Sequence, residues 1–316
     1  MQTVVMAPES LLLDRDLLAT AKLLWLLLQL EPEARNPGLL AARSGLNPKT
    51  VARGLAQLEG RAFPATGRKA GMPAPLLLDR RLSSRARLLY GLLQFTPGFR
   101  REAGQCTLAS LTPLTGWTRN PVRSAIGLLQ ETGWLELSQR NCHSPIRFHL
   151  RNPVAERQER ATNMARRRLK KAEFKGEAIM REYLSLLIDS DQFEDNASPG
   201  FLVNPYTGEE MQFDRFYPPD VAFEFNGAQH FGPTARYPDE EKARRQMGRD
   251  YIKMGICISR SIRLVVLLAE DLSLDGIRRK VDGLLPLRDL TGQERLINYL
   301  ERVARNYRSE ARKQSE

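Results

Sequence analysis

Cysteine is scarce in this chain, with Cys106, Cys142 and Cys257 the only three in 316 residues. Three thiols cannot build the disulfide framework on which small secreted domains depend. Long apolar runs are also missing. The nearest candidate, Leu17 to Leu30, is broken by Lys22 and falls short of the roughly 18–20 residues a membrane span requires. The opening MQTVVMAPESLLLDRD lacks the basic start and small-residue cleavage site of a signal peptide. Histidine is as sparse as cysteine, and Cys142, His143 and His149 lie on a strand pattern with no CxxC spacing, so a structural reading is preferred to a metal site there. No membrane partner is expected, and a reducing cytoplasm is the expected compartment.

Positive charge is what the chain has in excess: 48 Lys and Arg stand against 37 Asp and Glu, a net charge of +11. Residues 1–150 carry 19 basic and 10 acidic side chains, residues 151–176 carry 9 and 3, and residues 177–316 carry 20 and 24, so the regional balances are +9, +6 and −4. A basic footprint attracts phosphate backbones, which makes double-stranded DNA the expected partner and the nucleoid the expected place within the cytoplasm. Charge alone leaves non-specific basicity open.

Two segments share a pattern. In ARSGLNPKTVARGLAQLEG (Ala42 to Gly60) and PLTGWTRNPVRSAIGLLQETG (Pro113 to Gly133), Gly45 matches Gly116, Val51 matches Val122, Leu55 matches Ile126 and Leu58 matches Leu129, each 71 positions apart. Each follows a strong helix, Ala21 to Leu30 or Ala86 to Phe95, and each precedes a stretch that reads as a β-ribbon. The spacing predicts a helix, a short helix, a tight turn at Gly45 or Gly116 and a second helix from Pro48 or Asn120. This is helix-turn-helix logic. On these residues the N-terminal half resembles a tandem pair of winged-helix domains. The resemblance implies that the second helix of each copy enters the major groove, with Asn47, Lys49, Thr50 and Arg53 in the first copy and Thr118, Arg119, Asn120 and Arg123 in the second as DNA contacts. A pair of winged helices used for protein contacts is the alternative.

From Arg151 to Gly176 the chain is poor in apolar residues and dense in Lys and Arg, and reads as a solvated helix or a linker. Arg166, Arg167 and Arg168 are candidates for phosphate contact there.

Beyond the hinge, Met180, Tyr183, Leu184, Leu187 and Ile188 form one apolar stripe at 100° per residue, with Glu177 at its edge and Glu182 pointing away. Phe201–Val203, Met211–Phe216 and Val221–Phe225 read as strands, the last with Glu224 set among apolar neighbours. A carboxylate in such a strand costs free energy unless something compensates it. Asp214 lies ten residues earlier, and with Glu177 the three carboxylates suit a hard divalent cation.

The string FDRFYPPDVAFEFNGAQHF, followed by QMGRDYIKMGICISRSIRLVVLLAEDLSLDGI, resembles the core of the PD-(D/E)xK restriction-endonuclease-like nuclease superfamily, in its very-short-patch-repair-like branch. The resemblance spans about Glu177 to Ile277 and implies an α-β-β-β-α-β order, with Asp250, Lys253 and Cys257 on the later helix and Ala243, Met247, Tyr251, Met254 and Ile258 as that helix's apolar stripe. It implies Glu177, Asp214, Glu224 and the carbonyl of Phe225 as metal ligands, for magnesium or alternatively manganese. It further implies Gln229 and His230 beside the reaction. The family's lysine falls at Asn226, so Lys253 is the candidate for a migrated positive charge. His230 is equally read as a structural hydrogen-bonding residue.

The expected architecture is therefore multidomain: two α+β winged-helix domains (1–81 and 82–150), a basic hinge (151–176), an α/β restriction-endonuclease-like core (177–285) and a C-terminal helix (286–316). The expected function is metal-dependent DNA cleavage at a target chosen by the winged helices. The alternative is a transcription or replication regulator with a degenerate core, and homodimerisation stays open.

Overall fold

The computed structural model describes residues 4–33, 35–64, 66–139, 144–227 and 240–315. Cys142, His143, Gln229 and His230 lie outside them. The described residues form a mixed α/β molecule with three small sheets, and none of their helices is long and apolar enough to cross a membrane. The chain divides into two compact units, Met1–Ala155 and Glu156–Glu316.

The first unit runs β1 (Val4–Pro8), α1 (Glu9–Leu12), α2 (Ala19–Leu30), α3 (Pro37–Ser44), α4 (Pro48–Leu58), β2 (Lys69–Pro73), α5 (Ala74–Leu78), α6 (Ser84–Leu93), β3 (Ala103–Cys106), α7 (Leu108–Thr115), α8 (Arg119–Glu131), β4 (Leu135–Ser138) and β5 (Ile146–Leu150). Its leucine-rich helices α2 and α6 are buried on nearly every side, because they pack on each other while α4 covers one and α8 the other. One hydrophobic core unites both repeats.

The repeat extends into fine geometry. Helices α3 and α7 both end on a left-handed glycine, Gly45 (φ 73°) and Gly116 (φ 72°), a conformation glycine adopts without steric cost. Just before each, Ser44 Oγ donates to Leu40 O at 2.6 Å and Thr115 Oγ1 donates to Leu111 O at 2.8 Å. Trp25 meets Phe63 edge-on at 5.9 Å, and Tyr90 meets Trp134 in the same way at 6.0 Å. Ahead of α3 and α7 the spacing between equivalents is 65 rather than 71, as in LLLDR at Leu11 to Arg15 and again at Leu76 to Arg80. The second copy gains β3 at that point, and the added strand accounts for the change.

Buried cations hold this unit together. Lys22 donates from Nζ to Leu12 O at 2.8 Å, and burial pulls its pKa down to about 8. Its equivalent, Arg87, is 1% exposed. That guanidinium donates to Ser44 O at 3.0 Å, at the end of α3, and to Asp79 O at 2.7 Å between α5 and α6. Burial lowers the Arg87 pKa to about 10, which leaves it charged at neutral pH.

The second unit contains most of α9 (Pro153–Lys171), then α10 (Lys175–Leu187), β6 (Glu194–Ala197), β7 (Phe213–Tyr217), β8 (Val221–Phe225), α11 (Glu240–Ser259), β9 (Arg263–Leu267), α12 (Leu274–Val281) and α13 (Glu294–Ser315). Its sheet has the order β6-β7-β8-β9, antiparallel except for the parallel pair β8–β9. A parallel pair needs a crossover, and α11 supplies it. Tyr217, Val221 and Phe223 pack on one face with α10, α12 and α13. Phe216 and Ala222 pack on the other with Cys257 of α11.

Several sequence expectations change. The segment after α4 is not a β-ribbon of its own: Lys69–Pro73 pairs with the N-terminal strand and Ala74–Leu78 is helical. The basic hinge is the helix α9. Phe201–Val203 makes a single bridge, from Val203 to Glu210, instead of a strand, and the sheet's first strand is Glu194–Ala197. Glu182 does not point away from the interior; it is buried and paired with Arg168 of α9 at 2.5 and 2.9 Å. Met247, Tyr251, Met254 and Ile258 of the expected stripe of α11 face outward, with Tyr251 at 66% and Ile258 at 73% exposure. The buried face carries Lys253 and Cys257 instead, because a charged residue there finds a carboxylate partner.

Replacing Arg87 with Ala should leave the Ser44 and Asp79 carbonyls without their donor and open a cavity, costing about 3–5 kcal/mol of unfolding free energy by the usual penalty for a broken buried charge network. Denaturant titration of the full chain, followed by the fluorescence of Trp25, Trp117 and Trp134, which all lie in the first unit, checks this.

Candidate active site

Asp214 and Glu224 come together through strand register. Arg215 pairs with Phe223 and Phe216 with Ala222 across β7 and β8, so the next step sets Asp214 opposite Glu224, with both side chains on the face that α11 covers. Directly opposed side chains on one face are close neighbours in an antiparallel pair. The Phe225 backbone N–H donates to Asp214 Oδ2 at 2.7 Å, which fixes that carboxylate against the end of β8.

Lys253 reaches the same place from α11. Its Nζ donates to Glu224 Oε1 at 2.7 Å and to Gln212 O at 2.6 Å. Glu224 and Lys253 are each 8% exposed. Burial pushes the Glu224 carboxyl up to about 7; Lys253 opposes the shift, while the charges of Asp214 and Asp250 add to it.

Glu177 enters from the first turn of α10. That turn lies tightly against the end of β8, because Gly176 has no side chain: a Cβ there would fall 2.0 Å from Phe225 Cε1. Burial raises the Glu177 pKa, and the charge of Asp214 raises it further against the pull of Arg181. Arg181 pairs with Glu177 and also donates to Asp214 O at 2.8 Å and Asn196 Oδ1 at 2.7 Å. Asp214 is therefore the carboxylate that both glutamates sense. Sequence reasoning missed Arg181, although its position four residues after Glu177 on a helix is the spacing of an ion pair.

The remaining candidates divide. Asn226 is half-buried, and its backbone N–H donates to Leu267 O at 2.9 Å, continuing the ladder beyond Phe225. Lys49, Arg53, Thr118, Arg119, Asn120 and Arg123 are exposed at the start and along the outer faces of α4 and α8, with Thr50 half-buried. Asn47 caps α4, its side chain accepting from the Lys49 N–H at 2.9 Å, so its oxygen is committed to the helix. Arg166 donates to Asn163 and lies over the Tyr299 ring, Arg167 is exposed, and Arg168 is held by Glu182.

Among the described residues no three His, Cys, Asp or Glu side chains are gathered as the ligands of one ion. The chemistry of the donor set nevertheless suits a hard divalent cation: the donors are carboxylate oxygens whose charges raise one another's pKa, and a cation relieves that repulsion.

Glu224 and Glu177 have folded pKa values above their unfolded ones. Their contribution to stability is therefore fully present below about pH 4.5 and is lost as pH rises through the folded values, near 7 for Glu224. Chemical denaturation in chelator should show the fold weakening by on the order of 2 kcal/mol across that window. Glu224→Gln should lack most of that pH component.

Compared with known proteins, the chain matches no family model, no curated protein and no solved structure.

Proposed function

We propose that this chain is a DNA-binding, metal-dependent nuclease in which the first unit selects the target and the second cleaves a phosphodiester bond. The observation that carries the reading is the Asp214, Glu224 and Lys253 cluster: two carboxylates on neighbouring strands with an ammonium 2.7 Å from Glu224. It agrees with the α-β-β-β-α-β order of the restriction-endonuclease-like core. It also answers the substitution at Asn226, since α11 delivers a lysine to the strand carboxylate although β8 carries none.

Asp214 and Glu224 would hold magnesium or manganese, with Glu177 as a third donor and the Phe225 carbonyl as the family's fourth. When bound, such an ion lowers the pKa of a water and neutralises charge developing on phosphate. The side chains do the rest. Lys253 has three N–H bonds and spends two on Glu224 and Gln212, which leaves one for a phosphate oxygen or the attacking water. Arg181 opposes the rise that burial and Asp214 impose on the Glu177 pKa.

In the first unit, β3, α7, α8, β4 and β5 follow α6, and β3-β5-β4 form one antiparallel sheet. This is the order expected of a winged helix. Among the described residues the first copy keeps the three helices and lacks the hairpin. Exposed basic residues on α4 and α8, within a region of charge +9, support duplex DNA as the partner.

A second reading is favoured by the ion pairs themselves. Arg181 and Lys253 neutralise Glu177 and Glu224 from within the fold, which a DNA-binding regulator with an inert core would also require.

Incubating the purified chain with supercoiled plasmid and magnesium or manganese separates the two. Nicked or linear product that disappears with Glu224→Gln and falls at least about 100-fold with Lys253→Ala is the expected result. Retarded but uncut plasmid under every metal selects the regulator.

Binding is checked separately by fluorescence anisotropy with a duplex. Arg53→Ala and Arg123→Ala should each weaken binding by about 1–3 kcal/mol if they contact base edges, and affinity should fall steeply with salt.

A further inference from the structure

The two helix-turn-helix copies of the first unit are related by rotation, and this can be read from their contacts. Strands β1 and β2 are equivalent, 65 positions apart, and they pair with each other in antiparallel register: Val4 with Pro73, Met6 with Gly71, Pro8 with Lys69. Met6 and Gly71 are themselves equivalent positions. Exchanging every residue for its equivalent turns the pair Val4–Pro73 into Lys69–Pro8, which is also present. The pairing is therefore unchanged by swapping the copies, as it is across the two-fold axis of a symmetric dimer.

Side chains repeat the exchange. Arg80, between α5 and α6 of the second copy, donates to Ala42 O in α3 of the first. Its equivalent, Arg15 of the first copy, donates to Pro113 O in α7 of the second at 3.2 Å. Ala42 and Pro113 match at the 71-residue spacing, each three positions before the left-handed glycine. A Cβ placed on Gly45 would fall 3.4 Å from Arg80 Cγ, and one on Gly116 would fall 3.8 Å from Arg15 Cγ. Each copy thus completes the turn of the other. The equivalent helices α2 and α6 pack directly together, so the same axis passes between them. A copy repeated by simple translation would make none of these reciprocal contacts, because the donor of one copy would always face the same side of the next.

An axis of this kind constrains a ligand that has axes of its own. B-form DNA has local two-fold axes perpendicular to its length, and two reading helices related by a two-fold meet one duplex in equivalent ways when the axes coincide. Resting on the DNA-binding reading above, we infer that the first unit recognises a single duplex as two half-sites in inverted orientation. The half-sites differ in sequence, since α4 offers Lys49 and Arg53 where α8 offers Arg119, Asn120 and Arg123. The register shows the difference: Arg53 is the equivalent of Ser124, and Arg123 of Ala52. The two arginines occupy neighbouring rather than matched positions on the exposed faces. The contacts of the copies also differ, because among the described residues only the second carries the three-stranded sheet β3-β5-β4. Its half-site gains the flanking backbone contacts that a β-hairpin provides.

The test is selection of bound duplexes by the full-length protein, in chelator, from a pool with a random centre about three helical turns long, followed by rearrangement of the winning sequence. Two unlike elements in inverted orientation, with centres about 10–10.5 base pairs apart or a whole multiple of that, are expected. Reversing one element in place should weaken binding at least about tenfold, as should a half-turn insertion between them. Arg53→Ala should relax selection at one element alone and Arg123→Ala at the other. Enrichment of two elements in direct orientation, of a single element, or of a pair indifferent to reversal overturns the inference while leaving DNA binding in place. A pool that gives no enrichment and no retained duplex at low salt overturns the DNA-binding reading together with it.

Discussion

Arg87 contributes no surface charge to this protein. Its guanidinium lies in the interior of the first unit, donating to the last carbonyl of α3 and to the Asp79 carbonyl before α6. The Asp79 carboxylate in turn is held down at about pKa 2 by Arg81 and then by the Trp134 indole N–H, against the opposing effect of burial. A buried cation must find acceptors or bear a desolvation cost of several kcal/mol. Here the acceptors belong to different elements, so that requirement joins α3, the segment after α5, α6 and the strand following α8. The second unit follows the same rule. Arg168 joins α9 to α10 through Glu182, while Arg215 joins β7 to β6 through a two-pronged contact with Asp195 and to α10 through Ser185.

At the candidate site the carboxylates crowd one another. Arg215 and Arg168 each meet one carboxylate in good two-pronged geometry. Asp214, by contrast, raises the pKa of Glu177 and Glu224 alike, and two cations serve the three carboxylates. The sheet enforces this crowding. Register places Asp214 and Glu224 side by side, and the absence of a side chain at Gly176 lets α10 bring Glu177 in. The fold thus accepts repulsion among carboxylates here, the kind of perturbation that makes a cluster a candidate for chemistry.

Much of this was legible in the sequence, and the exceptions have physical causes. The helix, turn, helix pattern around Gly45 and Gly116 could be read because the left-handed turn demands glycine and the helix beyond it demands buried positions such as Val51 and Val122. The true start of the second copy, at Lys69, was hidden because β3 changes the spacing from 65 to 71, so a search at one offset stops at α7. The VAFEF strand was legible from its apolar run. The orientation of α11 was not, because hydropathy places Met247, Tyr251, Met254 and Ile258 inside and Lys253 outside. A partner carboxylate 29 residues away reverses the order. Glu182 was misplaced for the same reason, its partner Arg168 lying on another helix.

The pairing of β1 with β2 also sets the order in which the molecule can be assembled. Among the described residues β1 has no ladder partner other than β2, which leaves the ribosome 65 residues later, and α2 waits equally long for α6. Until then α2 can pack on α3 and α4 but not on α6, and β1 is a bare strand edge, which invites association with other chains. Contacts this distant in sequence form slowly. The two copies share one core, so the first cannot close its apolar surface alone, and the vulnerable interval is the synthesis of the residues between them.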